Sequence, residues 1–493
     1  MTPLASHPKS PSAPGDGPVV VGFDQQSRSW VTAKESSYTA HSIAFPAVEG
    51  VILTDEASLT SASKDYGQIV QRRPFAILRP ASEEDIVQMI HFARKYEIQV
   101  AARGQGHSTY GQSLVEAGIV IDMSSLTTIH EITQSDVKVD AGIRWSDLLR
   151  MTIAQGLTPP TTPDYISLSV GGTLSVGGIG SQTPWRGPLV DNVLELEVVT
   201  GRGQVVTCSP TQKSELFDAV RAGLGQFGII TKARIRLVPA PRLTRLYRAT
   251  YDNLALFLSD MELLLDDQRF DTLQGFVAPN EQGQWVYQLE VSKFYGALPS
   301  PNDDQLLAGL SFVPGMVTKQ DLPYFTGDVA RPGYVDRVEA YAHELSKVGL
   351  WDLPHPWINL FVPSHTAYDF IQEALAHTSP DDVGQGVISI YPYNHSAFVA
   401  PFFRVPATNH FFLLALLRNA LPPTSAHVEQ LVAANRQLFE RARAAGGTRY
   451  PVDSVPMQQP DWADHFGPMW EVFVMFKQFF DPDNLFAPGQ GIF

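Results

Sequence analysis

The chain has 493 residues, 44% of them hydrophobic and 18% charged, with a formal net charge of −15 at pH 7. That length allows two or three domains with sizeable cores, and the composition is that of a soluble globular protein rather than a disordered one. The negative balance argues against non-specific nucleic-acid binding and against docking on an anionic membrane surface, which both rely on clustered Lys and Arg.

Met1 to Val19 is rich in Ser, Pro and Gly and has no apolar h-region. No signal peptide is therefore expected, a cytoplasmic enzyme is the default, and the first ~20 residues are read as a flexible tail. Residues 75–79 read as a short strand. Ser82-Glu-Glu-Asp85 is a capping-box pattern ahead of Ile86, Met89, Ile90, Ala93 and Tyr96, which share one helix face. Strand signals return at 99–102, 118–123 and 136–141, and 146–155 reads as an amphipathic helix. Residues 193–200 and 205–208 form a hairpin candidate around Gly201–Gly203. A helix is expected at 214–222 and a strand at 229–238, closed by Pro239-Ala-Pro241.

After Pro241 helical stretches (253–266, 334–347, 424–445) mix with β-rich ones (285–291, 386–392, 410–417), which predicts a second α+β domain with its own sheet. The division is 1–39 as tail and lead-in, 40–240 and 241–449 as two domains, and 450–493 as a C-terminal segment. The last residues, 481–493, are loop-like and end on an apolar Ile-Phe pair expected to pack on the protein. The most apolar run, 411–417, is too short to span a bilayer. The single cysteine, Cys208, excludes an intrachain disulfide and a Cys-rich zinc site.

Gly223-Leu-Gly225-Gln-Phe-Gly228 fits the dinucleotide fingerprint in letters only. A helix precedes it and a strand follows, the reverse of what places a pyrophosphate at a helix N-terminus. These glycines are better read as ending a helix and letting the backbone pass close to a ligand. The run from Val170 to Gly180 carries five glycines with Thr173 and Ser175. It is either an ordinary interdomain loop or an anion-binding concavity. With residues 103–108 it makes two separated Gly/Ser-rich loops, which suits a cofactor with a pyrophosphate and a long body. His107 sits among Gly104, Gly106 and Ser108, its imidazole edge open to a ligand, although a lone histidine is more often structural. Asp164 could be a loop-capping carboxylate, which is the commoner role, and Glu290, in a β-rich run, could simply face water. There is no H-E-x-x-H, P-loop lysine or G-x-S-x-G motif, and no metal is expected.

Ala102-Arg-Gly-Gln-Gly-His-Ser-Thr-Tyr-Gly-Gln112 resembles the flavin-attachment segment of the cytokinin oxidase/dehydrogenases, within the vanillyl-alcohol oxidase/para-cresol methylhydroxylase (PCMH) fold family. The likeness runs on through 164–175, 205–208 and 224–231, through Leu353-Pro-His-Pro-Trp-Ile-Asn-Leu-Phe-Val-Pro363, and through Pro488-Gly-Gln-Gly-Ile-Phe493. It therefore covers most of the chain after the tail.

The resemblance implies a two-domain α+β fold: a PCMH-type FAD domain at 40–240, completed by 450–493, and a substrate domain at 241–449. It implies FAD bonded through its 8α carbon to His107. Ala102, Arg103, Gly104, Gln105, Gly106, Ser108, Gln112, Ser169, Ser175, Ile179, Ile230, Tyr450 and Gln490 match cofactor contacts. Asp164 matches the catalytic aspartate that takes a proton from the substrate amine, and Glu290 a glutamate at the pocket entrance. Departures are Phe398 in place of a Trp and Ala487 in place of a Ser, and they are expected near the substrate pocket. A burial-raised carboxylate is chemically suited to the base, and the flavin to accepting the hydride. The implied reaction is dehydrogenation of a secondary amine such as an N6-substituted adenine. The alternatives are a biosynthetic FAD-linked oxidase of an alcohol, another amine or a peptide-derived intermediate, and a flavin binder without turnover. Oxygen and a quinone-like acceptor both stay open, and the sequence does not specify the oligomeric state.

Overall fold

The computed structural model describes residues 46–296 and 299–493, and of the first 45 residues only 20–24, 26, 29–32 and 42–44. The tail expected at 1–19 lies outside the described residues. The lead-in holds strands Val20–Asp24 and Ser29–Thr32, which form a three-stranded sheet with Ser42–Ala44.

The fold is α+β. Strands Ala76–Arg79 and Val100–Arg103 both lie parallel to Ile119–Asp122, and Val51–Leu53 adds antiparallel at the edge. Parallel pairing needs a crossover, which helix Glu83–Lys95 supplies between the first two. Its Ile86, Met89 and Ile90 are fully buried, each contributing roughly 1.5–3 kcal/mol of apolar transfer. The capping box read at Ser82 does not form: Ser82 is the N-cap but its side chain makes no cap hydrogen bond. Asp85 instead accepts from the backbone N–H groups of Glu49, Gly50 and Ala81, fastening an upstream segment to the helix start.

A five-stranded antiparallel sheet follows, in the order Val205–Cys208, Val193–Thr200, Gly228–Arg236, Asp136–Asp140, Ile129–Ile132, and it includes the hairpin read from sequence. Residues Val170–Val176, read as loop, form a helix. Glycine here serves packing: a Cβ on Gly171 would lie 2.9 Å from the Ala141 Cβ. The Gly171 N–H also donates to the Ala141 carbonyl at 2.7 Å.

The second domain is built on an eight-stranded antiparallel sheet ordered Val317–Pro323, Leu243–Tyr251, Trp285–Tyr295, Thr272–Pro279, Val387–Asn394, His410–Leu417, Ile358–Pro363, Thr448–Arg449. Strand alternation decides what each face does. Leu273, Leu289, Val291, Ile388, Ile390, Leu414 and Leu416 form one core with helices Leu254–Asp267, Ser364–Ala376 and Ser425–Ala444. The intervening Gln274, Gln288, Glu290, Ser389, Tyr391, Leu413 and Ala415 line a cavity on the opposite face. Glu290 is therefore buried, at 3% exposure, and does not face water. At the C-terminus Val100 exchanges backbone hydrogen bonds with Leu485 and Ala487. Ile492 is buried, and Phe493, though partly exposed, stacks on Trp470 and Phe473 with centroids 5.8 and 6.1 Å apart, so the terminal pair packs on the protein as expected.

Candidate active site

Strand Val100–Arg103 ends in a turn held from beneath. The Arg103 guanidinium donates to the carbonyls of Ala62 (3.2 Å) and Lys64 (2.7 Å). Gly106 passes over it at φ +65°, where a Cβ would stand 2.4 Å from Arg103 Nη2. Gly104 packs against Ser169, whose Oγ would be 1.9 Å from an added Cβ. Ser108 Oγ and the Gly111 N–H donate to Oδ2 of buried Asp65 at 2.9 and 2.6 Å. Gln112 Nε2 donates to the Asp453 carbonyl at 2.8 Å. The turn is a rigid shelf.

His107 projects from this shelf into an aromatic box. Its ring stacks on Tyr66 (centroids 4.0 Å apart, 25° between planes) and lies near Tyr165, Trp351 and Trp357. Burial, with His355 nearby, pushes its pKa down to about 3, so the imidazole is neutral and keeps a lone pair near neutral pH.

A cavity of about 950 Å³ opens beside it. Ala102, Arg103, Gly104, Gln105, Gly106, His107, Ser108 and Gln112 line one wall. Ser169, Ser175 and Ile179 come from the glycine-rich helix and its exit, Ile230 from strand Gly228–Arg236, and Tyr450 and Gln490 from the chain's end. Asp164 and Glu290 line the same space, so every residue matched to a cofactor contact or a catalytic role meets in one cavity. The Tyr450 hydroxyl accepts from the Gly178 N–H at 3.1 Å.

The two carboxylates have opposite characters. Burial raises the Asp164 pKa, against the pull of Arg337. Its Oδ2 accepts from the Tyr391 hydroxyl at 2.9 Å and its Oδ1 from the Ser181 N–H at 3.2 Å. Glu290 is also penalised by burial, yet Arg337 and Arg248 hold its pKa below the usual carboxylate range. It accepts from Arg248 Nε (2.8 Å), Arg337 (3.3 Å) and Gln274. Two acids pushed apart in this way divide the labour: Asp164 can exchange a proton, while Glu290 stays charged. Tyr391, Arg337, Arg248, Tyr66 and His355 were not singled out by the sequence reading. Only the Leu353–Pro363 motif, which contains His355, gave a local signal for any of them.

Of the departures, Phe398 is not on the cavity wall. It packs in an aromatic cluster with Phe361, Tyr393, Phe403 and Phe411. Ala487 does line the cavity, close to Gly225 of the glycine-rich turn. The expectation that both departures mark the substrate pocket is therefore corrected.

Comparison with known proteins agrees with this layout. Residues 74–209 match the family model described as FAD binding domain, and residues 277–493 match that described as cytokinin dehydrogenase 1, FAD and cytokinin binding. The chain is 38% identical over 443 residues to a Rhodococcoides fascians protein named "uncharacterized oxidoreductase ORF5 in fasciation locus", covering 90% of this chain and 99% of that one. It is 36% identical over 486 residues to cytokinin dehydrogenase 1 of Arabidopsis thaliana, covering 90% and 83% respectively. The crystal structure of 6-hydroxy-D-nicotine oxidase from Arthrobacter nicotinovorans shares the fold at TM-score 0.66 and 22% identity, over 89% of this chain and 96% of that one.

The cavity fits the cofactor these matches imply. Its volume lies at the upper end of the ~300–1,000 Å³ usual for ligand sites. On its wall Gln274 Oε1, Trp357 Nε1, Asn359 Nδ2 and Gln490 Oε1 are buried with no partner among the described residues, which calls for a polar occupant. Rim glycines with no room for a side chain bring the backbone up to it. The protein is an FAD-dependent oxidoreductase and belongs to the cytokinin dehydrogenase-like family of the PCMH-type flavoproteins.

Proposed function

We propose that this protein dehydrogenates the C–N bond of a secondary amine of the cytokinin class, an N6-substituted adenine, using FAD bonded covalently to His107. The observation that carries the reading is Asp164: a buried carboxylate with raised proton affinity, on the cavity wall with the shelf that presents His107. Bound flavin supplies a two-electron acceptor for the substrate hydride. Asp164 takes the N–H proton, and with the C–H hydride passed to that acceptor R–NH–CH2–R′ becomes R–N=CH–R′; water then splits this imine to an amine and an aldehyde. Tyr391 holds the Asp164 oxygen in place. Glu290, kept ionised by Arg248 and Arg337, presents a fixed acceptor for a ring N–H of the same substrate. Leu413, Ala415 and Leu417 add an apolar stretch to the cavity wall. The same base would serve an alcohol O–H.

The test is anaerobic bleaching of the purified holoenzyme by isopentenyladenine, set against a panel of other amines and alcohols. Rapid bleaching by the adenine supports the proposal. Bleaching by an alcohol or an unrelated amine, with none by any cytokinin, would instead support a biosynthetic oxidase. Covalent attachment is read separately, since acid-precipitated protein should stay yellow and His107→Ala should release its flavin.

A further inference from the structure

His107 is positioned without hydrogen bonds. Among the described residues its ring nitrogens have no hydrogen-bond partner, so the ring's orientation comes from its aromatic walls. The closest is Tyr66, and Tyr66 is itself sandwiched: its other face stacks on His355, centroids 3.9 Å apart and planes 24° apart. His107, Tyr66 and His355 form a three-ring stack spanning both domains.

The outer ring is fixed in turn. His355 Nδ1 lies 3.2 Å from the Tyr66 carbonyl, and its Nε2 lies 3.1 Å from the Asn419 amide nitrogen. A carbonyl only accepts and an amide NH2 only donates, so the proton sits on Nδ1 and Nε2 accepts. Burial lowers the His355 pKa to about 4, which keeps that tautomer neutral. The His355 backbone N–H donates to the Gly67 carbonyl at 3.0 Å, docking the second domain onto the segment that carries Tyr66.

We infer that Tyr66 and His355 are positioning residues for the covalent attachment of FAD to His107. The inference rests on the covalent linkage proposed above. Attachment replaces a C–H bond of the flavin 8α methyl and the imidazole N–H with one C–N bond. The two protons and two electrons released reside in the isoalloxazine, and dioxygen removes them as hydrogen peroxide. The protein must present a neutral imidazole nitrogen, lone pair forward, at fixed distance and tilt. Burial provides the neutrality and the stack provides the tilt. A displacement of about 1 Å at such a centre can cost on the order of 100-fold in rate.

The experiment compares wild type, Tyr66→Phe, Tyr66→Leu and His355→Gln, expressed and purified identically. Protein is precipitated with acid, and flavin is quantified in pellet and supernatant. Tyr66→Phe keeps the ring and should match wild type. Tyr66→Leu and His355→Gln should keep total FAD near wild type and shift it on the order of tenfold from pellet to supernatant. A merely structural role would lower both pools together. Pellet flavin at wild-type levels in both variants overturns the inference. If Tyr66→Leu carries no flavin in either pool, His355→Gln decides by the same ratio. Release of all FAD by wild type would refute the covalent linkage itself, a distinct outcome.

Discussion

The Tyr391 hydroxyl donates to Oδ2 of Asp164 across 2.9 Å, from a strand 227 residues further along the chain. That bond stabilises the carboxylate and opposes the burial that raises its pKa. In the proposed role Asp164 takes a proton only when ionised, so flavin reduction should fall as pH drops through its raised pKa, above the ordinary aspartate value. Removing the phenol in Tyr391→Phe should raise that pKa further. A hydrogen bond to a charged group contributes about 1.5–3 kcal/mol, so the acidic limb of the reduction rate should move up by roughly 1–2 pH units. A limb that stays in place, measured by stopped-flow across pH, would remove Tyr391 from control of the base.

Asp164→Asn should leave a site of nearly the same shape that cannot take the proton. General-base catalysis typically contributes about 10²–10⁴-fold. Anaerobic flavin reduction is expected to slow by that order, with substrate affinity changed far less. Equal losses in rate and affinity would point to a binding role alone.

Glu290 is the buried partner of two guanidiniums, and Arg337 is further held 4.0 Å over the Tyr334 ring. Replacing Glu290 with Leu leaves Arg337 charged and largely buried, and breaking such a pair costs about 3–5 kcal/mol. The denaturation midpoint of Glu290→Leu should drop clearly. Glu290→Gln, which keeps an acceptor, should drop less while still losing substrate affinity. Equal stability of all three proteins in urea would contradict the ion-pair account.

Local patterns made the first domain's elements readable: strand, helix and strand around residues 76–103, and the hairpin at Val193–Thr200 and Val205–Cys208. What the sequence hid is equally physical. A polar residue alternating with apolar ones looks the same whether it faces water or a cavity, which is why the buried face of Glu290 was not legible. Five glycines between Val170 and Gly180 suggest a loop, but only Gly171 and Gly172 fall within the helix Val170–Val176, and the close packing of Gly171 on Ala141 offsets their low helix propensity. Arg337 and Tyr391 reach Asp164 across long sequence separations, and no local spacing encodes such a meeting. Asp164 and His107 were found because whole segments around them resembled a family, not through spacing to each other.

The close pass of Gly104 over Ser169 makes a steric prediction. In Gly104→Ala the new methyl would stand 1.9 Å from Ser169 Oγ and 2.9 Å from its Cβ. The shelf must shift, and FAD content per protein should fall severalfold while the far-UV spectrum stays unchanged. Ser169→Gly in the same chain removes both clashing atoms and should restore part of the flavin. Undiminished FAD in the single variant would show that the shelf can yield.

The last prediction concerns Lys477, whose buried ammonium gathers the end of the chain onto the glycine-rich turn. Its Nζ donates to Asp481 Oδ2 (2.7 Å), to the carbonyl and Oε1 of Gln226 (3.1 Å each), and to the Phe486 carbonyl (3.3 Å). Asp481 accepts in turn from the Leu485 and Phe486 N–H groups at 3.0 and 2.9 Å, and Gln226 Nε2 donates to the Ala487 carbonyl at 3.1 Å. The chain then runs on to Gln490 on the cavity wall. Lys477→Met strands the Asp481 carboxylate in the interior, and a buried charge without its partner costs about 3–5 kcal/mol. The variant should unfold at markedly lower denaturant and lose flavin fluorescence quenching before its secondary structure. Adding Asp481→Asn removes the stranded charge, so the double variant should recover much of the stability. It should not fully recover flavin retention, because the bonds to Gln226 and Phe486 are still missing. Recovery of both together would mean that the ion pair serves stability alone.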